Sequence, residues 1–212
     1  MNRWLTILSV MIGVGLSGSL ALAGGKQSSK AVFNLHVGKK VYKIQPDKPF
    51  VIKTPKGEKL KAVLRQQETL TYSSHGISFK YHHEMKVSSE DQMGVATITV
   101  EGTSSPLCIV QVYSIAISAS EVEKILVSSL ENEFKNRKAS FMKGSGGKIS
   151  MKVGGKNRSG RKLDFLLAGQ RFNAKVFTFK KGKSVIALMI QNDLEDQKKA
   201  DKYFSVILNS IR

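Results

Sequence analysis

The chain has 212 residues, with 34 lysines and arginines against 16 aspartates and glutamates for a formal net charge of +18, four histidines and one cysteine. That length can bury a core without covalent staples, and a single thiol closes no internal disulfide, which excludes a disulfide-framed miniprotein. The cationic excess favours polyanionic partners, namely phospholipid head groups, anionic envelope polymers or nucleic acid, although the same charge also serves solubility.

The N-terminus runs MNRWLTILSVMIGVGLSGSLALAGGKQ, in which Arg3 supplies a positive start, Trp4 to Leu16 is apolar and uncharged, and Ala21-Leu22-Ala23 offers an A-x-A cleavage site. This is the pattern of a secretory signal peptide over residues 1–23, and it predicts a periplasmic or secreted protein. An uncleaved anchor is the alternative, because about 20 uncharged residues can span a bilayer. The glycine- and serine-rich second half lacks the continuous bulky side chains that lasting insertion requires. No cysteine lies near the cleavage point to carry a lipid, and no later segment is long and apolar enough to cross a membrane.

Residues 24–75 read as a flexible lead, GGKQSSK, followed by a β-rich extension. VFNLHV, KVYKI, FVIKT, KLKAVLR and TLTY are strand-like runs divided by turn chemistry at Gly38, Pro46-Asp47 and Pro55-Lys56-Gly57. Residues 76–212 form the main expected domain. HGISFKYHHEMKV, ATITVEG and LCIVQVYSIAI carry the alternation and β-branched content of strands. The period then changes. Ser120-Glu121-Val122-Glu123 predicts a capping box with Ser120 as the N-cap, and Val122, Ile125, Leu126, Leu130 and Phe134 share one face of a helix over 121–137.

LDFLLAG, RFNAKVFTF and SVIALMIQ read as further strands, the last two joined by a hairpin turn at Lys181-Gly182-Lys183. SVIALMI is nearly all apolar, which suits a strand covered on both faces. Asp193 is placed to cap a final helix whose Ala200, Tyr203, Phe204, Ile207, Leu208 and Ile211 repeat at three and four residues. That face needs a sheet to lie on, so the expected fold is an α+β sandwich with two main amphipathic helices and an N-terminal β-rich extension.

GISFKYHHEMKV, a strand pair, a helix entered through S-x-E, a strand cluster with a KKGK hairpin and a last helix ending FSVILNSI together resemble the PsbP-like fold family, which includes photosystem PsbP proteins and DcrB-type bacterial envelope proteins. The likeness covers residues 76–212. His82 and Met85 stand where the family's opening phrase has proline and tryptophan. The resemblance implies an α-β-α sandwich around an antiparallel sheet and a non-catalytic role in binding a partner. It does not choose the partner, since function resides in sites and not in folds.

The chemistry-bearing candidates are few. KGSGGKISMKVGGKNRSGRK, residues 143–162, holds six glycines and seven basic residues: Lys143, Lys148, Lys152, Lys156, Arg158, Arg161 and Lys162. A phosphate loop of the Walker kind is excluded, because neither Gly147-Lys148 nor Gly155-Lys156 is followed by a hydroxyl residue, and Gly182-Lys183-Ser184 has Phe177 in place of the first glycine. The stretch predicts a solvated hairpin and loop, with a polyanion-binding arm as the alternative. Lysines meet phosphates as unselective point charges, whereas nucleic acid would call for interleaved aromatic side chains that are missing here.

His82 and His83 are adjacent, so on an extended strand they point to opposite faces and share no ion; His75 and Glu84 lie nearby, and His36 is a strand residue. No zinc-ligand or calcium-loop spacing appears, so neither a metal nor a cofactor is expected. There is no G-x-S-x-G elbow, and Cys108, inside LCIVQV, reads as an inert buried side chain. The expected function is therefore a non-enzymatic binding or accessory protein of the bacterial envelope with an unidentified envelope partner. The competing reading is a small-ligand carrier or enzyme with a cleft assembled from dispersed residues.

Overall fold

The computed structural model describes residues 33–54, 56–65 and 67–212. The expected leader and flexible lead fall outside these residues. The chain divides into two compact units, the second beginning at Thr69.

The first unit consists of two hairpins. Strands β1 (Phe33–Val37) and β2 (Lys40–Ile44) pair antiparallel, as do β3 (Pro49–Lys53) and β4 (Lys59–Val63). Tyr42 Oη accepts the Lys53 amide at 3.3 Å, tying the hairpins together. Ile44 is buried, while Val41, Val51, Leu60 and Val63 remain exposed.

The second unit opens with β5 (Thr69–Ser74) and β6 (Ile77–His82), joined across His75-Gly76. Both turn residues have positive φ, as a two-residue primed turn requires. Thr69–Ser74, placed in the extension by sequence, thus enters the second unit through its ladder to β6. An antiparallel sheet follows, from β7 (Lys86–Gln92), β8 (Val95–Glu101), β9 (Leu107–Tyr113), β10 (Ser140–Phe141), β11 (Gly147–Val153), β12 (Lys156–Leu167), β13 (Gln170–Lys181) and β14 (Ser184–Asp193). Its order is β10-β12-β13-β14-β9-β8-β7, with β11 also paired to β12. Strand β7, KVSSEDQ, has no apolar alternation that would mark it in sequence; its ladder to β8 makes it an exposed edge strand.

Helix α1 (Ala119–Asn136) covers one face of this sheet and α2 (Gln197–Ser210) the other. Val122, Leu126, Leu130 and Phe134 of α1 meet Ile109, Leu163, Phe165 and Val176. Tyr203, Phe204 and Ile207 of α2 meet Val110, Phe177 and Leu188, together with Ile77 and Phe79 of β6. Every residue of β9 is buried, with Cys108, Val110 and Val112 serving the α2 side and Leu107, Ile109 and Tyr113 the α1 side. This double coverage explains why LCIVQVY is apolar on both faces apart from Gln111, and why Val185–Ile190 is apolar throughout. The α-β-α sandwich implied by the PsbP-like resemblance is the observed architecture.

Both predicted helix caps move. Ser118, not Ser120, is the N-cap of α1: its Oγ accepts the Glu121 amide, while Glu121 Oε2 accepts the Ser118 amide at 2.9 Å. Two overlapping S-x-x-E patterns compete here. The earlier one lengthens the helix and leaves Glu123 available for another contact. At α2, the predicted cap Asp193 instead closes a turn, accepting the Glu195 amide at 2.9 Å through Oδ1. Asp196 occupies the N-cap position, and its carboxylate is diverted to the Ser105 hydroxyl at 3.2 Å. Hydrogen bonds from Ser104 and Ser105 hold that carboxyl below its ordinary range despite partial burial.

Candidate functional site

The glycine- and lysine-rich stretch folds as the β11–β12 hairpin. Gly154 and Gly155 form its two-residue turn, with φ of +58° and +75°, a conformation that side-chain-bearing residues rarely adopt. The hairpin is anchored to the C-terminal turn of α2, since the Gly154 amide donates to the Leu208 carbonyl at 2.8 Å. Farther along β12, Gly160 lies beneath Phe177: a Cβ there would sit 2.3 Å from the Val176 carbonyl oxygen and 2.6 Å from the Phe177 ring. Glycine lets the ring pack directly on the strand.

Alternation divides the hairpin into two surfaces. Ile149, Met151 and Val153 turn inward and pack with the α2-side core. Lys148, Ser150, Lys152, Asn157 and Ser159 face the other way, and all five are exposed.

The seven basic candidates therefore have different fates. Arg158 turns inward, its guanidinium 4.3 Å from the centre of the Phe179 ring and its Nε buried without a hydrogen-bond partner. Arg161 binds Glu123 of α1 at 3.2 Å and donates to the Gly146 carbonyl. Lys162 pairs with Asp164 at 2.9 Å. Lys143, Lys148, Lys152 and Lys156 are exposed. Lys180 of β13, absent from the sequence-derived set, is also exposed; its register partner Val185 places it on the α1 side of the sheet. Only the strand pairing identifies its face.

A second cluster forms where β6 ends. His82 and His83 do not point to opposite faces: their rings stack with centroids 4.6 Å apart, because the strand stops at His82 and the chain turns through His83-Glu84. Extended geometry, the basis of the sequence expectation, ends one residue too early to apply. His82 is 4% exposed and its other ring face stacks on Tyr203 of α2 at 4.6 Å. Its Nδ1 accepts the Glu84 amide at 3.3 Å. Tyr203 Oη donates to Glu84 Oε2, and Lys199 lies 5.5 Å from the centre of the Tyr203 ring. The Tyr203 hydrogen bond, helped by the nearby histidines and Lys199, holds the Glu84 carboxyl below its ordinary range. Burial and then Glu84 push the Tyr203 hydroxyl upward.

The remaining candidates have structural roles. His75 Nδ1 lies 3.2 Å from Asp91 Oδ2, joining the β5–β6 turn to β7. His36 is exposed on β1. Burial pushes the Cys108 thiol well above its ordinary pKa, which leaves it without thiolate reactivity. A cavity of about 20 Å³ between α1 and the sheet is bordered by Ile109, Gln111, Leu126, Leu130 and Met189, among others. It has room for about one water. Gln111 is committed to Thr97 and Tyr113 by side-chain hydrogen bonds of 3.3 and 2.8 Å.

No protein-family profile matches the chain, and no curated protein sequence matches it. Among solved structures, the chain is similar to cyanobacterial PsbP from Synechocystis, with 12% identity over 68% of this chain and 92% of that one and a TM-score of 0.47. It is also similar to LpqN of Mycobacterium tuberculosis, a protein involved in cell envelope biogenesis, with 16% identity over 68% and 91% and a TM-score of 0.41. A protein from Bacteroides thetaiotaomicron gives 11% identity over 69% and 48%, with a TM-score of 0.45.

Proposed function

We propose that this chain is an exported, non-enzymatic accessory protein of the bacterial envelope that docks on an anionic phospholipid surface through the outer side of its β11–β12 hairpin. The carrying observation is the division of the hairpin: its apolar residues pack under α2, while Lys148 and Lys152 remain exposed beside Ser150, Asn157 and Ser159, with Lys143 exposed ahead of β11 and Lys156, the register partner of Val153, exposed at the hairpin tip. Hydroxyl and amide side chains supply hydrogen bonds to phosphate oxygens, and lysines supply charge without demanding a fixed geometry. Among the described residues no helix is long and apolar enough to cross a membrane. Export rests on the N-terminal leader pattern, and a non-catalytic role on the missing catalytic motifs together with the PsbP-like resemblance.

Each lysine near an anionic bilayer contributes about 1 kcal/mol. Changing Lys143, Lys148, Lys152 and Lys156 to glutamine is expected to weaken co-sedimentation with phosphatidylglycerol vesicles by about a thousandfold. Binding to phosphatidylcholine vesicles should be weak throughout, and rising salt should release the wild-type chain. Wild-type protein that ignores anionic vesicles, or retention that survives the four substitutions, would overturn the reading.

A further inference from the structure

Three consecutive residues at the end of β6 carry the donor set of a transition-metal site. His82, His83 and Glu84 each offer one ligand atom, and those atoms lie within 4.8 Å of one another. Two imidazoles and one carboxylate suit zinc and neighbouring first-row ions; calcium and magnesium prefer shells built entirely of oxygen. His82 Nδ1 and Glu84 Oε2 are 3.9 Å apart, and two bonds of about 2 Å to a shared ion span at most about 4 Å. We propose that His82, His83 and Glu84 bind one divalent first-row transition ion, zinc being the best match, with water completing the shell.

The surroundings divide the site into a fixed and an adjustable part. His82 is held between the His83 ring and Tyr203, and it is the most buried of the three ligands. His83 is half-buried on the turn, and the Glu84 side chain is 47% exposed. Both can rotate to close the shell without disturbing the core. An ion at Nδ1 replaces the long contact from the Glu84 amide. Tyr203, already donating to Glu84 Oε2, remains as the outer partner that orients the carboxylate, the usual arrangement around a metal-bound acid. Lys199 acts on Glu84 electrostatically and opposes a cation, which keeps the affinity moderate.

The test is calorimetric titration of zinc into the full chain, free of any histidine tag, with cobalt absorption as a second readout of imidazole ligation. Wild-type protein is expected to take up one ion per chain. His83→Ala and Glu84→Gln should each weaken binding by about tenfold or more, Lys199→Gln should tighten it, and His75→Ala should leave it unchanged. Thermal unfolding without metal checks that the turn variants fold. The site is refuted if zinc binding does not saturate at one ion, if it survives the combined His83→Ala and Glu84→Gln change, or if His75→Ala removes it equally.

Discussion

The β3–β4 and β11–β12 hairpins are made from the same local ingredients: apolar residues interleaved with lysine, folded back at a glycine-bearing turn. In β3–β4, Val51 and Leu60 remain exposed, and among the described residues of that unit Ile44 of β2 is the buried apolar one. In β11–β12, Ile149, Met151 and Val153 join the core beneath α2, and Gly160 accepts the Phe177 ring. Strand pairing alone stabilises a two-stranded ribbon only marginally. The difference arises from what each apolar stripe meets, and it has an electrostatic consequence: a hairpin whose inner face is anchored presents its outer lysines from a defined surface.

This contrast is open to breakage, starting with the shared core. Phe177→Ala removes a fully buried ring and is expected to cost about 3–5 kcal/mol, whereas the exposed Leu60→Ala should stay within about 0.5 kcal/mol; denaturant unfolding of both variants measures the gap. Comparable losses would contradict the difference between the hairpins. Gly160→Ala forces a methyl group against backbone and should cost about 1–3 kcal/mol. Hydrogen exchange would locate that damage in β11 and β12 if the anchoring contact is lost first.

The smallest expected effect is a pH response at the turn between β6 and β7, where Glu84 meets Tyr203 of α2. The Glu84 carboxyl is lowered in the folded chain from its ordinary value of 4.5. Its stabilising contribution is therefore present above pH 4.5 and is lost as the pH falls through the lowered value. Because this side chain is 47% exposed, solvent screening keeps the contribution below about 1 kcal/mol. Glu84→Gln should flatten that part of the acid stability profile and change little near neutrality; an unchanged profile would remove Glu84 as its source.

Much of the architecture was legible locally. The spacing of Val122, Leu126, Leu130 and Phe134 gave α1 and its buried face, and the continuous apolar run of SVIALMI marked a strand covered twice. Strand β7 was not legible, because its solvated residues follow the ladder of β8 and have no pattern of their own. The α1 cap was visible as a motif but not in its register, since two S-x-x-E frames overlap. For the sites, residue types were visible and their availability was not. Arg161 and Lys148 look alike in sequence, yet one is tied to Glu123 across 38 residues and the other is exposed.

The sequence by itself determined the strand and helix periods, the charge, and the order that leads to an α-β-α sandwich, because each depends on neighbours within a few residues. Tertiary structure decided which lysines face outward and brought Tyr203 to Glu84 across 119 residues of chain. Those outcomes depend on what packs against each face, and periodicity along one strand carries no information about the element that will cover it.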